Sequence, residues 1–214
     1  MPRRKNSVEL MGWYGSDETH ALSAWTSTSR DLTDEKRERI PQLLQMLAKN
    51  GHHTVFEKSS LHFLVTVDTS AHIHLLKHRI GLSINGESAR YKELKDDKYY
   101  VPSDWPLEEQ DRYIAFMEDA LARYHETLKR LVDSGMSRKR AKESARFYLP
   151  YGNQITMDVM FNWRSFNHFL GLRLKPDAQL EIRNLAAQML ELVLAIPDNP
   201  FKHTAAAFGY GESK

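Results

Sequence analysis

The chain contains no cysteine among its 214 residues. This absence excludes a disulfide framework, a Cys-ligated zinc or iron–sulfur centre, and a thiol nucleophile. The sequence also lacks any run of about 18 apolar residues, so no segment is expected to span a membrane. Residues 7–13 are too short and too polar to form the apolar core of a signal peptide. We therefore expect a cytoplasmic protein.

The chain also lacks a strong charge imbalance. Thirty Lys and Arg residues face 28 Asp and Glu residues, which leaves a formal charge of +2. That balance does not indicate nucleic acid as a polyanionic partner. With 41% hydrophobic and 27% charged residues, the composition is that of a globular protein. Its length predicts one domain over residues 1–214.

Periodicity predicts interleaved strands and helices, with helix dominant. The predicted strands are 8–14, 61–67 and 155–161, and the predicted helices are 34–49, 69–77, 107–133, 137–147, 163–172 and 177–195. Pro41 suggests that the regular part of the first of these helices begins near that residue, because proline cannot donate a backbone hydrogen bond. The order indicates an α+β, or mixed α/β, fold with a small central sheet flanked by long helices.

The densest polar segment is Lys77–Tyr91, which follows a strand and a short helix. It combines cations, hydroxyls, an amide, a carboxylate and two glycines, a composition suited to binding a phosphate-bearing ligand. An ordinary polar surface loop has a similar composition, so both interpretations stay open at this point.

A second polar set consists of Arg164, His168 and Arg173 on an otherwise apolar helix. The set could form a ligand site. It could equally be structural, with the arginine head groups reaching water and the histidine hydrogen-bonded in the core. The histidines at 72, 74 and 78 have a spacing that a metal could use, but no HExxH motif or carboxylate accompanies them, and we predict no metal site. The basic helix 138–142 is interpreted as a solvated face. Neither a hydrolase triad around Ser88 nor a GxGxxG or P-loop motif is found.

Several of these segments together resemble the flavin-dependent thymidylate synthases. The Lys77–Tyr91 run is similar to that family's signature of Arg-His-Arg, seven residues, Ser, and a following Arg-Tyr pair. Further similar segments, in the same order, are Thr54-Val55-Phe56-Glu57, Arg146-x2-Leu149-Pro150, Asn162-x-Arg164 with His168, Leu172-Arg173, and Ala178-Gln179-x-Glu181-Ile182-Arg183. The matching segments extend from about residue 51 to about residue 195.

The resemblance implies an enzyme that methylates C5 of dUMP to form dTMP. It further implies methylenetetrahydrofolate as carbon donor, FAD reduced by NADPH as hydride donor, and a homotetramer with shared active sites. The nucleotide-binding positions implied are His74, Lys77, Glu87, Ser88, Arg90, Arg146 and Arg173, with Arg173 the catalytic residue that stabilises ionised N3 of the uracil. The flavin-binding positions implied are Thr54 from a neighbouring subunit, Lys77, His78, Arg79, Glu87, Asn162, Arg164 and His168.

The sequence departs from the family pattern around the expected nucleotide site. Lys77 replaces an arginine, and His74 stands where a glutamine is common. Three residues rather than two separate Arg79 from Ser83. Gly86-Glu87 replaces the family's order of a glutamate followed by an apolar residue, which leaves open whether Glu87 takes the role of the family glutamate. These differences leave open UMP or a related uridylate as substrate. A non-catalytic nucleotide- or RNA-binding homologue and a structural helical protein are the alternatives from other functional classes.

Overall fold

The structure, a computed structural model, describes residues 5–88, 93 and 96–211. Its elements follow the mixed α+β order predicted from the sequence. The strands are β1 (Ser7–Tyr14), β2 (Ser60–Asp68), β3 (Leu82–Gly86) and β4 (Gln154–Phe161). The helices are α1 (Asp17–Trp25), α2 (Asp34–Lys49), α3 (Thr69–Leu76), α4 (Leu107–Asp133), α5 (Arg138–Ala145), α6 (Trp163–Arg173), α7 (Leu180–Leu194) and α8 (Lys202–Ala207).

The strands form a four-stranded sheet in the order β1-β2-β4-β3. Strands β3 and β4 run antiparallel, because Glu87 N–H donates to the carbonyl of Thr156 while Asn162 N–H donates to that of Gly81. Along β2, burial alternates between half-buried and buried positions, as the apolar alternation over 61–67 predicts. The predicted small sheet with long helices is confirmed.

The Cα positions cluster into two compact units. The first comprises Met1–Ser7, Val65–Lys77 and Asn85–Met157, and the second comprises Val8–Leu64, His78–Ile84 and Asp158–Lys214. Four of the five unit boundaries fall inside a strand, one in each strand, so neither unit corresponds to a separate stretch of sequence. The assignment of a single domain to residues 1–214 stays a prediction.

In the first unit, the core is formed by the apolar stripe of α4. Tyr124 and Leu128 pack with small buried residues of α5, and Met117 and Leu121 pack with buried Tyr99. These α4 positions recur every three or four residues, which places them on one face of the helix. The predicted helix over 107–133 is confirmed with the same bounds.

In the second unit, the core is mainly aromatic. Phe63 of β2, Phe161 of β4 and Phe166 of α6 form a cluster of ring contacts with centroids 5.6–6.4 Å apart. Trp163 at the start of α6 stacks on Phe201, with their ring centroids 5.3 Å apart. This packing fixes α6 against the sheet strands of its own unit.

Proline does not delay the start of α2, and that expectation was wrong. The helix begins at Asp34, capped by the Thr33 side chain, and passes through Pro41. The carbonyl left without a proline N–H belongs to Arg37, four residues earlier, which is exposed and can bond to water.

Elements α1, β3 and α8 were not predicted. Strand β3 lies inside the Lys77–Tyr91 segment, whose polar composition masks the short alternation of Leu82 and Ile84 with polar residues. Within the described residues, no helix is long and apolar enough to cross a membrane.

Candidate functional site

A cavity of about 390 Å³ in the second unit contains three of the predicted flavin-binding residues, Asn162, Arg164 and His168. They line it together with His53, Glu57, Ile80, Gly81, Ser165 and Asn167. The residues come from three parts of the chain: the 3₁₀ turn His53–Glu57, the segment before β3, and helix α6. The fold thus brings together residues that are more than 100 positions apart.

Helix α6 presents its polar residues to this cavity because its other face is buried. Trp163, Phe166 and Leu170 are fully buried, whereas Arg164 and His168 are exposed and lie four residues apart. Residues at that spacing project from the same side of a helix. Two of the three polar residues that the sequence left open between core and ligand site, Arg164 and His168, therefore belong to the exposed face, whereas Arg173 is half-buried.

The start of α6 is held by Asn162 and by the segment before β3. The Asn162 Oδ1 accepts from the Ser165 N–H at 2.8 Å, which caps the helix. The carbonyl of Gly81 accepts from the Asn162 N–H at 3.1 Å and from the Ser165 hydroxyl at 2.6 Å. The segment between Arg79 and Ser83, one residue longer than the family pattern, is thereby anchored to the helix.

Arg164 forms an ion pair across the cavity lining, with its Nη1 2.6 Å from Glu57 Oε1. Both side chains are partly exposed, so water screens the pair and its contribution to stability is small. Its effect is to orient the guanidinium. Glu57 was not predicted as a site residue, although it lies in the Thr54-Val55-Phe56-Glu57 segment that resembles the family.

At the other end of α6, Arg173 contacts His78. The Arg173 Nε–H donates to His78 Nε2 at 3.0 Å. The His78 ring also meets Phe169 edge-on at a centroid distance of 5.1 Å and lies 6.0 Å from the His168 ring. The predicted catalytic arginine and a predicted flavin-binding histidine are therefore direct partners.

The predicted nucleotide-binding residues other than Arg173 that the structure describes belong to the first unit. Three of them, His74, Glu87 and Ser88, are half-buried, and two, Lys77 and Arg146, are exposed. Arg90 lies outside the described residues.

Glu87 is held by a residue that sequence reasoning missed. Its Oε2 accepts from Lys98 Nζ at 2.8 Å and from the Thr156 N–H at 2.8 Å. Lys98 is only 8% exposed and also donates to the Thr156 hydroxyl at 2.7 Å. This carboxylate oxygen thus joins the end of β3 to β4, immediately before Ser88. No pattern in the sequence links Lys98 to Glu87, because the contact depends on the folded chain.

Thr54 and Arg79 are exposed and are not among the residues that line the cavity. The histidines considered for a metal are not grouped with other ligands: among the residues described, no cluster of three His, Asp or Glu side chains could hold an ion. His78 Nε2 is engaged by Arg173 instead.

The cavity lining suits part of a flavin nucleotide. It combines a guanidinium, an amide and imidazoles with the side chain of Ile80, which is 90% exposed to solvent. A flavin likewise joins an apolar ring to hydrogen-bonding atoms and phosphates. Ligand cavities usually measure about 300–1,000 Å³, so this one accommodates a portion of such a cofactor.

The comparison with known families finds relatives over most of the chain. The family model described as thymidylate synthase complementing protein matches residues 9–197. The flavin-dependent thymidylate synthase of Pseudothermotoga lettingae is 31% identical over 196 residues, covering 88% of this chain and 85% of that protein. The enzyme of the same name from Geobacter sulfurreducens is 32% identical over 177 residues, and the match covers 79% of this chain and 73% of that enzyme.

Two solved structures are similar over almost the whole length. They are crystal structures of the UMP/dUMP methylase PolB from Streptomyces cacaoi, one bound with 5-Br dUMP and one with 5-Br UMP. Their TM-scores are 0.78 and 0.77, both at 28% identity. They cover 98% and 97% of this chain, and 97% and 96% of theirs.

Proposed function

The chain belongs to the flavin-dependent thymidylate synthase family, and we propose that it methylates C5 of dUMP reductively to form dTMP. The observation on which the proposal depends is the cavity that gathers Asn162, Arg164 and His168. The resemblance to the family implies these three residues as flavin contacts from the sequence alone. In the folded chain they line one concave surface, as a cofactor site requires.

Arg173 is the residue proposed to activate the nucleotide. C5 of a uracil is a poor nucleophile, and ionisation of N3 increases the electron density available to it. A guanidinium beside the imide stabilises that anion, and it stays charged at all working pH values. Arg173 is half-buried, so the field of its charge is less screened than that of a fully solvated arginine.

The cofactor set proposed is FAD, with NADPH as reductant and methylenetetrahydrofolate as the one-carbon donor. When bound and reduced, the flavin would supply the hydride that the methyl group requires. His168, Asn162 and the Arg164–Glu57 pair would hold it. We further propose a homotetramer in which Thr54, exposed in its own chain, contacts the flavin of a neighbouring subunit.

UMP is the second candidate substrate. The PolB structures are described as those of a UMP/dUMP methylase and include complexes with both brominated nucleotides. The departures at His74, Lys77 and Glu87 concern the expected nucleotide site and are compatible with either sugar. With either substrate, Arg173 would stabilise the uracil with N3 ionised.

The test begins with the visible absorption spectrum of the purified protein and its anaerobic reduction by NADPH, with and without nucleotide. Turnover with methylenetetrahydrofolate is then compared between dUMP and UMP. We expect a bound flavin and formation of dTMP. Protein that binds neither FAD nor dUMP would rule out the proposal. RNA binding that weakens steeply with salt, without flavin reduction, would favour the non-catalytic alternative.

Replacing Arg173 tests its proposed role directly. Arg173→Ala should lower kcat by about 10²–10³-fold, the usual effect of removing one group that stabilises a developing anion. Arg130→Ala is the matched control, since Arg130 is an exposed arginine paired with Glu126 one turn away on α4. The control should retain activity, and circular dichroism should be unchanged in both variants. Full turnover by Arg173→Ala would contradict the assignment.

A further inference from the structure

We infer that His78 is a positioning residue for Arg173 and that it must be unprotonated at Nε2 to perform this role. The inference rests on the proposed function, because it concerns the same uridylate site. The observation is the 3.0 Å hydrogen bond from Arg173 Nε to His78 Nε2. Resemblance to the family assigns His78 only to the flavin; its contact with the catalytic arginine comes from the fold.

The bond constrains the whole guanidinium. That group is planar, so fixing the direction of Nε–H also fixes the plane in which the terminal nitrogens lie. Arg173 stands in the last turn of α6, where its stem is attached to a helix packed on a buried aromatic core. The covalent attachment to α6 and the bond to His78 thus both help to orient the edge of the guanidinium that a uracil imide would meet.

The polarity of the bond determines the state of the imidazole. Arginine has no acceptor and keeps its proton, so Nε2 of His78 must accept and the proton of the neutral ring must lie on Nδ1. A second proton on Nε2 would remove the acceptor and place two cations about 3 Å apart, a strong repulsion in a partly buried site. Protonation of His78 would therefore release Arg173.

The surroundings of the His78 ring give it a fixed position. Phe169 meets it edge-on at 5.1 Å, and His168 lies at 6.0 Å. The charged and titratable groups near the His78 ring include Arg173 and His168, together with Arg79, which follows His78 in the chain. His168 belongs to the flavin cavity, so His78 stands between the residues proposed to hold the cofactor and the arginine proposed to activate the substrate.

The experiment measures N3 ionisation of 5-bromo-dUMP bound to the protein, by ultraviolet difference spectroscopy across the neutral pH range, with and without FAD. Bromine withdraws electrons and makes this ionisation accessible without turnover. We expect His78→Leu to reduce the ionisation constant of the bound nucleotide about tenfold, as expected for loss of a charge-assisted hydrogen bond. His78→Gln, whose amide oxygen can accept the same N–H, should restore most of the effect.

Two comparisons separate this role from flavin binding. In an Arg173→Ala background, His78→Leu should have no further effect on N3 ionisation, because the two residues act in series. Arg164→Leu is the matched control: it removes a side chain of the flavin cavity that pairs with Glu57, so it should lower flavin retention and leave N3 ionisation unchanged. At acidic pH the wild type should lose more N3 ionisation than protonation of the nucleotide alone causes, because His78 also becomes protonated. His78→Gln should lack this additional loss.

Independent, additive effects of His78→Leu and Arg173→Ala would overturn the inference. So would normal N3 ionisation in a His78→Leu protein that has lost only its flavin. In both cases the wild type would still make dTMP and the proposed function would stand. A wild-type protein that binds no 5-bromo-dUMP would overturn both.

Discussion

Gly81 illustrates how one residue adapts the site to a longer loop. Its φ of +67° lies in the left-handed region, which is unfavourable for residues with a Cβ. A Cβ built on it would lie 2.5 Å from Asn162 Nδ2 and 3.0 Å from Ser165 Cβ. Glycine is therefore required twice, for its backbone conformation and for its close approach to the start of α6. The extra residue relative to the family pattern is accommodated at this turn.

Gly81→Ala should lower the free energy of unfolding by about 2 kcal/mol or more, from backbone strain together with overpacking. Gly171→Ala, in α6 itself, is the control. A Cβ there meets no atom within 4 Å, so the change should raise stability by about 0.5–1 kcal/mol. Urea denaturation of the two variants measures both values. A neutral Gly81→Ala would show that the start of α6 can move at little cost.

At the scale of elements, the end of β3 is joined to β4 by a charged group inside the first unit. Lys98, almost fully buried, bonds to Glu87 and to Thr156, and the Thr156 N–H bonds to the same carboxylate. Because the lysine and the carboxylate satisfy each other, neither is left as an isolated buried charge. Glu87 is thereby held in place one residue before Ser88.

Lys98→Met should destabilise the protein by roughly 2 kcal/mol, because it removes the buried ammonium that pairs with the partly buried Glu87 carboxylate. Glu87→Gln combined with Lys98→Met should cost less than the sum of the single changes, since no unpaired charge then remains. Chemical denaturation of the four proteins of this double-mutant cycle provides the measurement. Strict additivity would mean that the pair contributes no coupling energy.

At the scale of the whole molecule, stability should depend on pH through a buried network in the second unit. The Thr204 hydroxyl donates to Asp17 at 2.6 Å, so it accepts from His20 Nδ1 at 2.9 Å, and Ser59 donates to His20 Nε2 at 2.9 Å. The network joins α1, α8 and the residue preceding β2. Burial lowers the pKa of His20 to about 4, from its usual value of 6.5.

This shift determines the sign of the pH dependence. Between about pH 6.5 and pH 4 the unfolded chain binds a proton at His20 that the folded chain does not, so stability falls as the pH is lowered. The loss attributable to His20 is about 3 kcal/mol at most. Burial raises the pKa of Asp17, whose earlier protonation in the folded state recovers part of this loss.

His20→Gln isolates the contribution of the histidine. The variant should be less stable at neutral pH, because the network is disturbed, but its stability should fall less between pH 6.5 and pH 4 than that of the wild type. Thermal or urea unfolding at several pH values measures this slope. Equal slopes in the two proteins would show that other groups dominate the acid response.

Much of the fold follows from local patterns. The spacing of apolar residues along α4 and the alternation along β2 each determine which face is buried, and the Asp68 and Asn162 side chains cap the starts of α3 and α6. Pro41 misled the prediction because the effect of a proline depends on whether water can reach the carbonyl that it leaves unpaired. Strand β3 was missed because its pairing with β4 is not a local property.

The sequence by itself determined the family, the absence of any cysteine nucleophile, and the residue types available for the site. The role of Arg173 is implied by the resemblance to the family, and without a thiolate the proposed activation of a uracil has to come from charge and cofactor. The tertiary structure alone decided the contacts: His78 with Arg173, Arg164 with Glu57, and Lys98 with Glu87. Contacts between residues 11 to 107 positions apart depend on packing and chain direction, and no local spacing specifies them.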